Sequence, residues 1–500
     1  MHPIDYAEVG IFFLAMIAIG LASSRKIKSS KDYFVGGGKV PWWLAGVSLH
    51  VSGYSGVAFV ALAAVAYRDG ISLYVWWATP YVIAGFLGAF VFAPRWARLR
   101  IRLNIESPTE YLAARYSITT QQLMAWCGVL LKLFDVGAKW AALGVLLHGF
   151  TGLPLATGIL LSGGISLLYV TVGGIWADLY TDFAQYIVQL VAGSAMFLMA
   201  IRHLGGIGSI GGIWQQLPPS HSQAFTTTYT PWFLVGYVCA GVLSSTGGTW
   251  NQAARFIAAP SGKSAKKSAL LCGVLYLIWP PVLFYPMWAG PLLVPNLADP
   301  TQLYPILALK YLPAGVVGLS LAAMFAATMS MTTSDTNTIS AVITRDILPH
   351  LSARFREVDK QRLLQAARLS TFVFTVLTLV IALESENFGG VLGLIVAWFS
   401  ALIGPTSIPM LFGLLPAFRH ADSRAAIGSI VTGLLVFASS VLVDANLAVR
   451  VGSPIFSSAA VYCLITWMNR NKPVPVHVSE LLEGLSSGGE REAARIAATV

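Results

Sequence analysis

Along the chain, apolar stretches long enough to cross about 30 Å of hydrocarbon alternate with short polar gaps. Thirteen such segments can be drawn, at 4–22, 42–66, 71–93, 120–149, 154–173, 176–202, 232–257, 267–293, 313–346, 362–384, 388–415, 424–444 and 449–468. Each predicts a membrane-crossing α-helix, because a lone segment in lipid satisfies its backbone only by hydrogen-bonding to itself. Two segments carry helix breakers: SGYSG at Ser52–Gly56 in the second and SSTGG at Ser244–Gly248 in the seventh. Broken backbone at membrane depth is tolerated where it lines a cavity or is buried in protein. The breaks lie five segments apart, and an odd spacing turns the second copy upside down, so the pattern predicts an inverted 5+5 helix repeat around a midplane site. A further departure is FAATMSMTTSDTNTIS at 325–340, where eight of sixteen residues carry a hydroxyl inside the ninth apolar segment. At about 100° per residue, Ala327, Ser330 and Ser334 fall within about 60° of one another and Thr333 flanks them. Such a stripe either bonds helix to helix or serves a cation.

Composition turns the segment list into a protein class. Hydrophobic side chains make up 56% of the 500 residues and charged ones 11%, which excludes a soluble globular domain and predicts an all-α polytopic membrane protein. The lysines and arginines sort to alternate gaps: Arg25, Lys26, Lys28, Lys31 and Lys39 after the first segment, Arg95, Arg98, Arg100, Arg102 and Arg115 after the third, and Lys263, Lys266 and Lys267 after the seventh. The opposite side holds Arg68, Arg202, Lys310 and Arg450. Cytoplasmic loops are enriched in such residues, so the N-terminus is expected outside and the C-terminus in the cytoplasm of a multi-pass protein of the cell (inner) membrane. The net charge of +10 is then a topology signal and not a nucleic-acid surface. Cys127, Cys239, Cys272 and Cys463 sit in apolar segments without metal-type spacing and read as packing residues. The expected organisation is a leading helix and loop (1–31), a first five-helix repeat (32–203), an extracellular loop (204–231), a second inverted repeat (232–415), two trailing helices (416–468) and a cytoplasmic tail (469–500).

Five stretches, in order, resemble the sodium:solute symporter family, which includes sodium/glucose and sodium/proline cotransporters. These are DYFVGGGKVPWW from Asp32, VSLHVSGYSG with AYRDG from Ala66, TVGGIWADLYTDFAQ from Thr171, WNQAARFIAAPSGKSAKK from Trp250 and IGPTSIPMLFGLL from Ile403. The resemblance spans roughly Asp32 to Leu415. It implies a leucine-transporter-like fold of thirteen transmembrane helices and secondary active symport of a small solute with Na+ as the coupling ion. It also implies a shared sodium site made by the carbonyls of Val51, Tyr54 and Ala327 and the hydroxyl of Ser330, with a second hydroxyl at the position that Met331 fills here. A thioether is a poor ligand for a hard cation. Three readings therefore stand: weaker binding with water completing the shell, replacement by Thr332, or coupling elsewhere. The resemblance offers a second ion site from Asp182, Ser330, Thr333 and Ser334, and Asp182 equally suits a proton carrier, since a lone carboxylate in a span is costly unless it is paired or protonated.

For the solute, Ser52, Gly53 and Ser55 at the first break are expected to line the site, with Lys139. The fourth segment places Lys132, Asp135 and Lys139 three and four residues apart on one face. If Lys132 takes Asp135, Lys139 is left for an anion; if Lys139 takes Asp135, Lys132 snorkels to the interface. Val57 and Ala58 follow the break where sugar carriers of the family place polar groups, so a carboxylate or amino-acid-like anion is the expected solute. Asp335, Asn337 and His50 read as caps, gate contacts or packing residues. Competing classes are a proton-coupled or uncoupled carrier of the same fold, a transporter-derived sensor, a channel, or an intramembrane enzyme, for which the sequence carries no HExxH or nucleophile elbow. The expected partners are a small-molecule solute, sodium ions and the lipid bilayer.

Overall fold

The structure, a computed structural model, describes residues 1–352, 355, 360–388 and 390–486. Part of the gap after the ninth apolar segment, at 353–354 and 356–359, and the end of the tail at 487–500 lie outside the described residues. Every described element is helical, and the helices coincide with the apolar segments. They are α1 (Pro3–Ser24), α2 (Trp42–Val51), α3 (Gly56–Asp69), α4 (Thr79–Val91), α5 (Ile118–Thr151), α6 (Leu155–His203) and α7 (Pro231–Leu243). There follow α8 (Trp250–Ile257), α9 (Gly262–Trp288), α10 (Val316–Val342), α11 (Lys360–Leu383), α12 (Gly390–Phe412), α13 (Ser423–Leu442) and α14 (Leu447–Met468). Side-chain caps start several of them: the Ser117 hydroxyl accepts from the Thr120 N–H, Asp422 from Ala425 and Asn446 from Val449, each satisfying an amide that the first turn leaves open.

Eight helices are individually long and apolar enough to cross a membrane, and ten spans result if each bent pair is counted as one. The expected thirteen is therefore not reached by length and apolarity among the described residues, for a physical reason. α2–α3 bends by 53° at its break, α7 and α8 are 13 and 8 residues long on either side of theirs, and α5 carries three charges at mid-length. In α6, Gly174 adopts φ 51° and ψ −152°, which splits the helix near the boundary drawn at 173–176. A Cβ at Gly174 would stand 2.6 Å from the backbone oxygen of Tyr33, so only glycine lets the two segments meet there.

α10 is the axis of the bundle. It packs against α1, α5, α6 and α11, and 83% of its apolar window is buried, against 28% for α1. Its hydroxyls therefore face protein. Exposed apolar residues such as Leu14, Phe90, Leu168, Leu198, Leu435 and Leu442 lie on the outer helices, the surface that lipid would cover.

One end of the bundle is clasped by polar contacts. The loop before α5 reaches the π-turn that ends α10: Ser107 and Thr109 donate to the carboxylate of Asp346, and Gln121 Nε2 donates to Asp346 Oδ1 at 2.6 Å. Arg345 Nε donates to Glu110 Oε1 at 2.8 Å, with Glu106 at 3.9 Å. Burial pushes the Glu106 carboxyl above its ordinary range, opposed by the Arg345 charge.

Candidate transport site

α2 stops at Val51 because the chain leaves helical geometry over Ser52–Ser55, and Ser55, extended at φ −147° and ψ −179°, begins α3 by accepting from the Val57 N–H. α7 stops in a π-turn at Ser244–Gly248, where Gly247 takes φ 113° and Thr249 is extended before α8 begins. Both breaks open on one cavity of about 180 Å³, the environment that freed backbone groups require. Ser52, Gly53 and Ser55 line it from the first break and Ser244, Ser245 and Thr249 from the second. Lys132, Asp135, Lys139, Asn251, Gln252 and Met331 supply further polar or polarizable wall. The rest is aliphatic and aromatic in nearly equal number: Trp76 stacks on Tyr229 at 5.0 Å and meets Tyr237 edge-on at 4.9 Å, and Trp77 and Tyr81 continue the aromatic surface.

The expected solute residues Ser52, Gly53, Ser55 and Lys139 thus share one cavity. The charge on Lys139 needs correction. Lys132 Nζ lies 2.8 Å from both Asp135 and Asp335, and Lys139 Nζ lies 2.8 Å from Asp135 and 2.5 Å from Asp335. Both foreseen pairings with Asp135 hold at once, but Lys132 does not snorkel to the interface and Lys139 is not left over: Asp335 pairs with both lysines and closes a buried, neutral quartet linking α5 to α10. The surplus positive charge expected on this face is therefore cancelled. Asp335, expected as a cap or gate residue, is wholly buried and is the missing anion.

The second ion site is also rearranged. Thr333 and Ser334 donate to Asp178 Oδ1, at 2.7 and 3.0 Å, not to Asp182. Between the two carboxylates lies the guanidinium of Arg255, on α8. Its Nη2 donates to Asp178 Oδ2 at 3.0 Å, Asp182 Oδ2 at 3.3 Å, Ser52 Oγ at 2.9 Å and Ser334 Oγ. Its Nε donates to Ser48 Oγ at 2.7 Å and its Nη1 to the Asn251 carbonyl at 2.9 Å. The Ser48 hydroxyl donates in turn to Asp182. The expected ligand hydroxyls are thus largely engaged with Asp178 and Arg255. Two expected ligand atoms remain: Ser330 Oγ and Asp182 Oδ1 are buried with no side-chain partner but each other. A hydroxyl and a carboxylate oxygen that face only each other suit a hard monovalent cation.

The shared-site residues are all buried where α2 ends and α10 passes. Val51 and Ala327 have no exposure and Tyr54 has 1%. The Val51 carbonyl accepts the Tyr54 N–H at 3.0 Å, and α3 docks on α10 through its Gly56 N–H, which donates to Thr328 Oγ1 at 2.7 Å. Met331 faces the cavity. Thr332, considered above as its replacement, donates back to the carbonyls of Thr328 and Met329. His50 is buried among Tyr54, Tyr186 and Tyr276, the packing role expected of it.

Asp178, Arg255 and Asp335 are the residues the sequence reading missed as site members. Signals for each were present. Asp178 and Asp182 are four apart in one apolar segment and so share a helix face, Arg255 is an arginine in a stretch that must be buried beside a break, and two lysines around one aspartate demand a second acid.

The comparisons agree with this fold. The Sodium/sialic acid symporter SiaT of Proteus mirabilis is 27% identical over 472 residues, covering 90% of each chain. The human Sodium/iodide cotransporter is 27% identical over 458 residues, covering 85% of this chain and 68% of its own. Among solved structures, a Na+-coupled sialic acid symporter, substrate-bound and outward-open, superposes with a TM-score of 0.82 at 22% identity over 93% of this chain and 98% of its own. Mhp1, a nucleobase-cation-symport-1 family transporter, superposes with a TM-score of 0.59 at 15% identity over 91% and 99%; at these identities both likenesses speak to the fold. The model of the sodium:solute symporter family matches residues 33–443: the chain belongs to that family, as a sodium-coupled membrane symporter of a small solute and not an enzyme.

Proposed function

We propose that the chain imports a small amino-acid-like solute that carries a carboxylate, driven by sodium through alternating access across thirteen spans, with the N-terminus outside. One observation carries the solute class: the α5 side chains of Lys132, Asp135 and Lys139 line the cavity together, with Asp135 ion-paired to both lysines. A wall of both signs complements a solute of both signs, and the aromatic surface of Trp76, Trp77, Tyr81 and Tyr237 covers its carbon skeleton. Relatives carry sialic acid, iodide, myo-inositol and glucose, so family membership does not choose among solutes, and the wall is what supports this choice. For the ion, the reading places sodium against Asp182 Oδ1 and Ser330 Oγ, with the Val51, Tyr54, Ala327 and Ser330 oxygens as the shared site.

Proteoliposome uptake of zwitterionic amino acids, monocarboxylates and neutral polyols, under separate sodium and proton gradients, tests this. Sodium-driven uptake of the first group, abolished in Asp182→Asn, is the expected result. Uptake confined to polyols would end the solute assignment. Uptake driven by pH and indifferent to sodium would make Asp182 a proton carrier. The orientation is tested separately by an impermeant thiol reagent on a cysteine at Ser352 in a chain lacking its native cysteines. Labelling in intact right-side-out membranes would overturn it.

A further inference from the structure

We infer that Arg255 sets the valence of the ion site, restricting it to one monovalent cation. The inference rests on the reading that Asp182 and Ser330 hold sodium. Its starting point is the charge of the cluster. Asp178 and Asp182 are buried side by side, and Arg255 is the cation ion-paired with both, at 3.0 and 3.3 Å. Together the three carry a net charge of −1 at a depth where uncompensated charge is costly.

The division of labour within the cluster is unequal. Asp178 is the better served: Oδ1 accepts from Thr333, Oδ2 from Arg255, and the single Ser334 hydroxyl lies 3.0 Å from both oxygens. Asp182 accepts on Oδ2 from Ser48 and Arg255, while the Ser330 hydroxyl is the one side-chain donor beside its Oδ1 among the described residues. The guanidinium therefore reaches one oxygen of each carboxylate and leaves Asp182 Oδ1 the least satisfied. One positive charge at the open half brings the cluster to neutrality, whereas a divalent ion would leave it at +1 in the same low-dielectric surroundings. A fixed internal cation thus excludes calcium and magnesium without a ligand cage shaped against them, and it denies a second sodium the use of Asp178. The same guanidinium bonds Ser52 of the first break from its place beyond the second, so the charge that sets valence also ties the two breaks together.

The test compares cation binding to detergent-purified protein, read as the rise in thermal midpoint on adding NaCl, CaCl2 or MnCl2 against choline chloride. Wild type should respond to sodium and not to either divalent ion. In Arg255→Gln the cluster becomes −2, and calcium or manganese should bind at least tenfold more tightly than to wild type. Arg255→Gln combined with Asp178→Asn returns the charge to −1 and should lose that divalent response, and Arg255→Lys should keep the wild-type pattern. A folded Arg255→Gln protein, monodisperse on size exclusion, that gains no divalent response overturns the inference. If Arg255→Gln does not fold, the double variant, which has the charge of wild type, still decides: a divalent response there overturns it as well. A sodium response that survives in Asp182→Asn instead overturns the underlying ion assignment, so the two failures are distinguishable.

Discussion

Two ionic clusters are buried in this bundle, and they are built on opposite plans. The α5–α10 quartet has two cations and two anions, is neutral, and joins two continuous helices. The Arg255 cluster has one cation and two anions, carries a formal −1, and its members sit on α6, α10, the end of α2 with the first break, and α8 beyond the second break. A neutral cluster between unbroken rods needs no ion to balance it and acts as a fixed strut. On the proposed ion assignment, the cluster short of one cation is complete only when an ion arrives, so ion binding and the arrangement of the breaks become one equilibrium. Charge balance, not burial, separates the strut from the switch.

The contrast is sharpest where a single charge is deleted. Asp335→Asn strands two lysines on one aspartate and is expected to destabilise the fold by about 3–5 kcal/mol, read as a large fall in thermal midpoint. Lys139→Met with Asp135→Leu leaves the Lys132–Asp335 pair intact and should cost far less; an equal loss in the two would mean that the quartet is not a self-balanced unit. Ser48→Ala removes a hydroxyl that accepts from Arg255 and donates to Asp182. It should cost about 1.5–3 kcal/mol as a hydrogen bond to charged groups, and because it acts on the switch it should also shift the half-saturating sodium concentration, which the quartet variants should leave alone. Met331→Ser places a hydroxyl on the cavity wall, and a several-fold stronger dependence of uptake on sodium is expected if the shared site gains a ligand from it. Smallest of all, Arg450→Ala breaks a pair with Asp444, whose side chain is 96% exposed, and should change stability by about 0–1 kcal/mol with transport unaltered.

The fold was legible because lipid restricts the options: a run of apolar residues in a membrane is a helix, and SGYSG and SSTGG read as breaks that need a cavity or protein around them. Ser52, Gly53 and Ser55, which line the cavity at the first break, were legible for the same reason, whereas its aromatic wall and Asn251 and Gln252 were not. The pairing inside the clusters was not. Periodicity places Lys132, Asp135 and Lys139 on one face of α5, but nothing local shows that Asp335, some two hundred positions away, turns towards them. Likewise the stripe of Ser330, Thr333 and Ser334 was visible, while the partner that claims its hydroxyls depends on which of two aspartates on α6 lies nearer and on an arginine from α8. Long-range complementarity of charge is decided by packing, and a single chain read in isolation carries only its demand that every buried charge find an answer.

The clasp between Asp346, Arg345 and the loop before α5 has a consequence for how that end of the bundle parts. Hydrogen bonds to charged groups contribute about 1.5–3 kcal/mol each, and several act together at that end, on the three donors to Asp346 and on the Arg345–Glu110 pair. A difference of one such bond between two conformers changes their ratio by roughly tenfold to a hundredfold. A conformer in which this end parts gives up the three donors to Asp346 and the Arg345–Glu110 pair, so opening there costs those bonds unless new partners replace them.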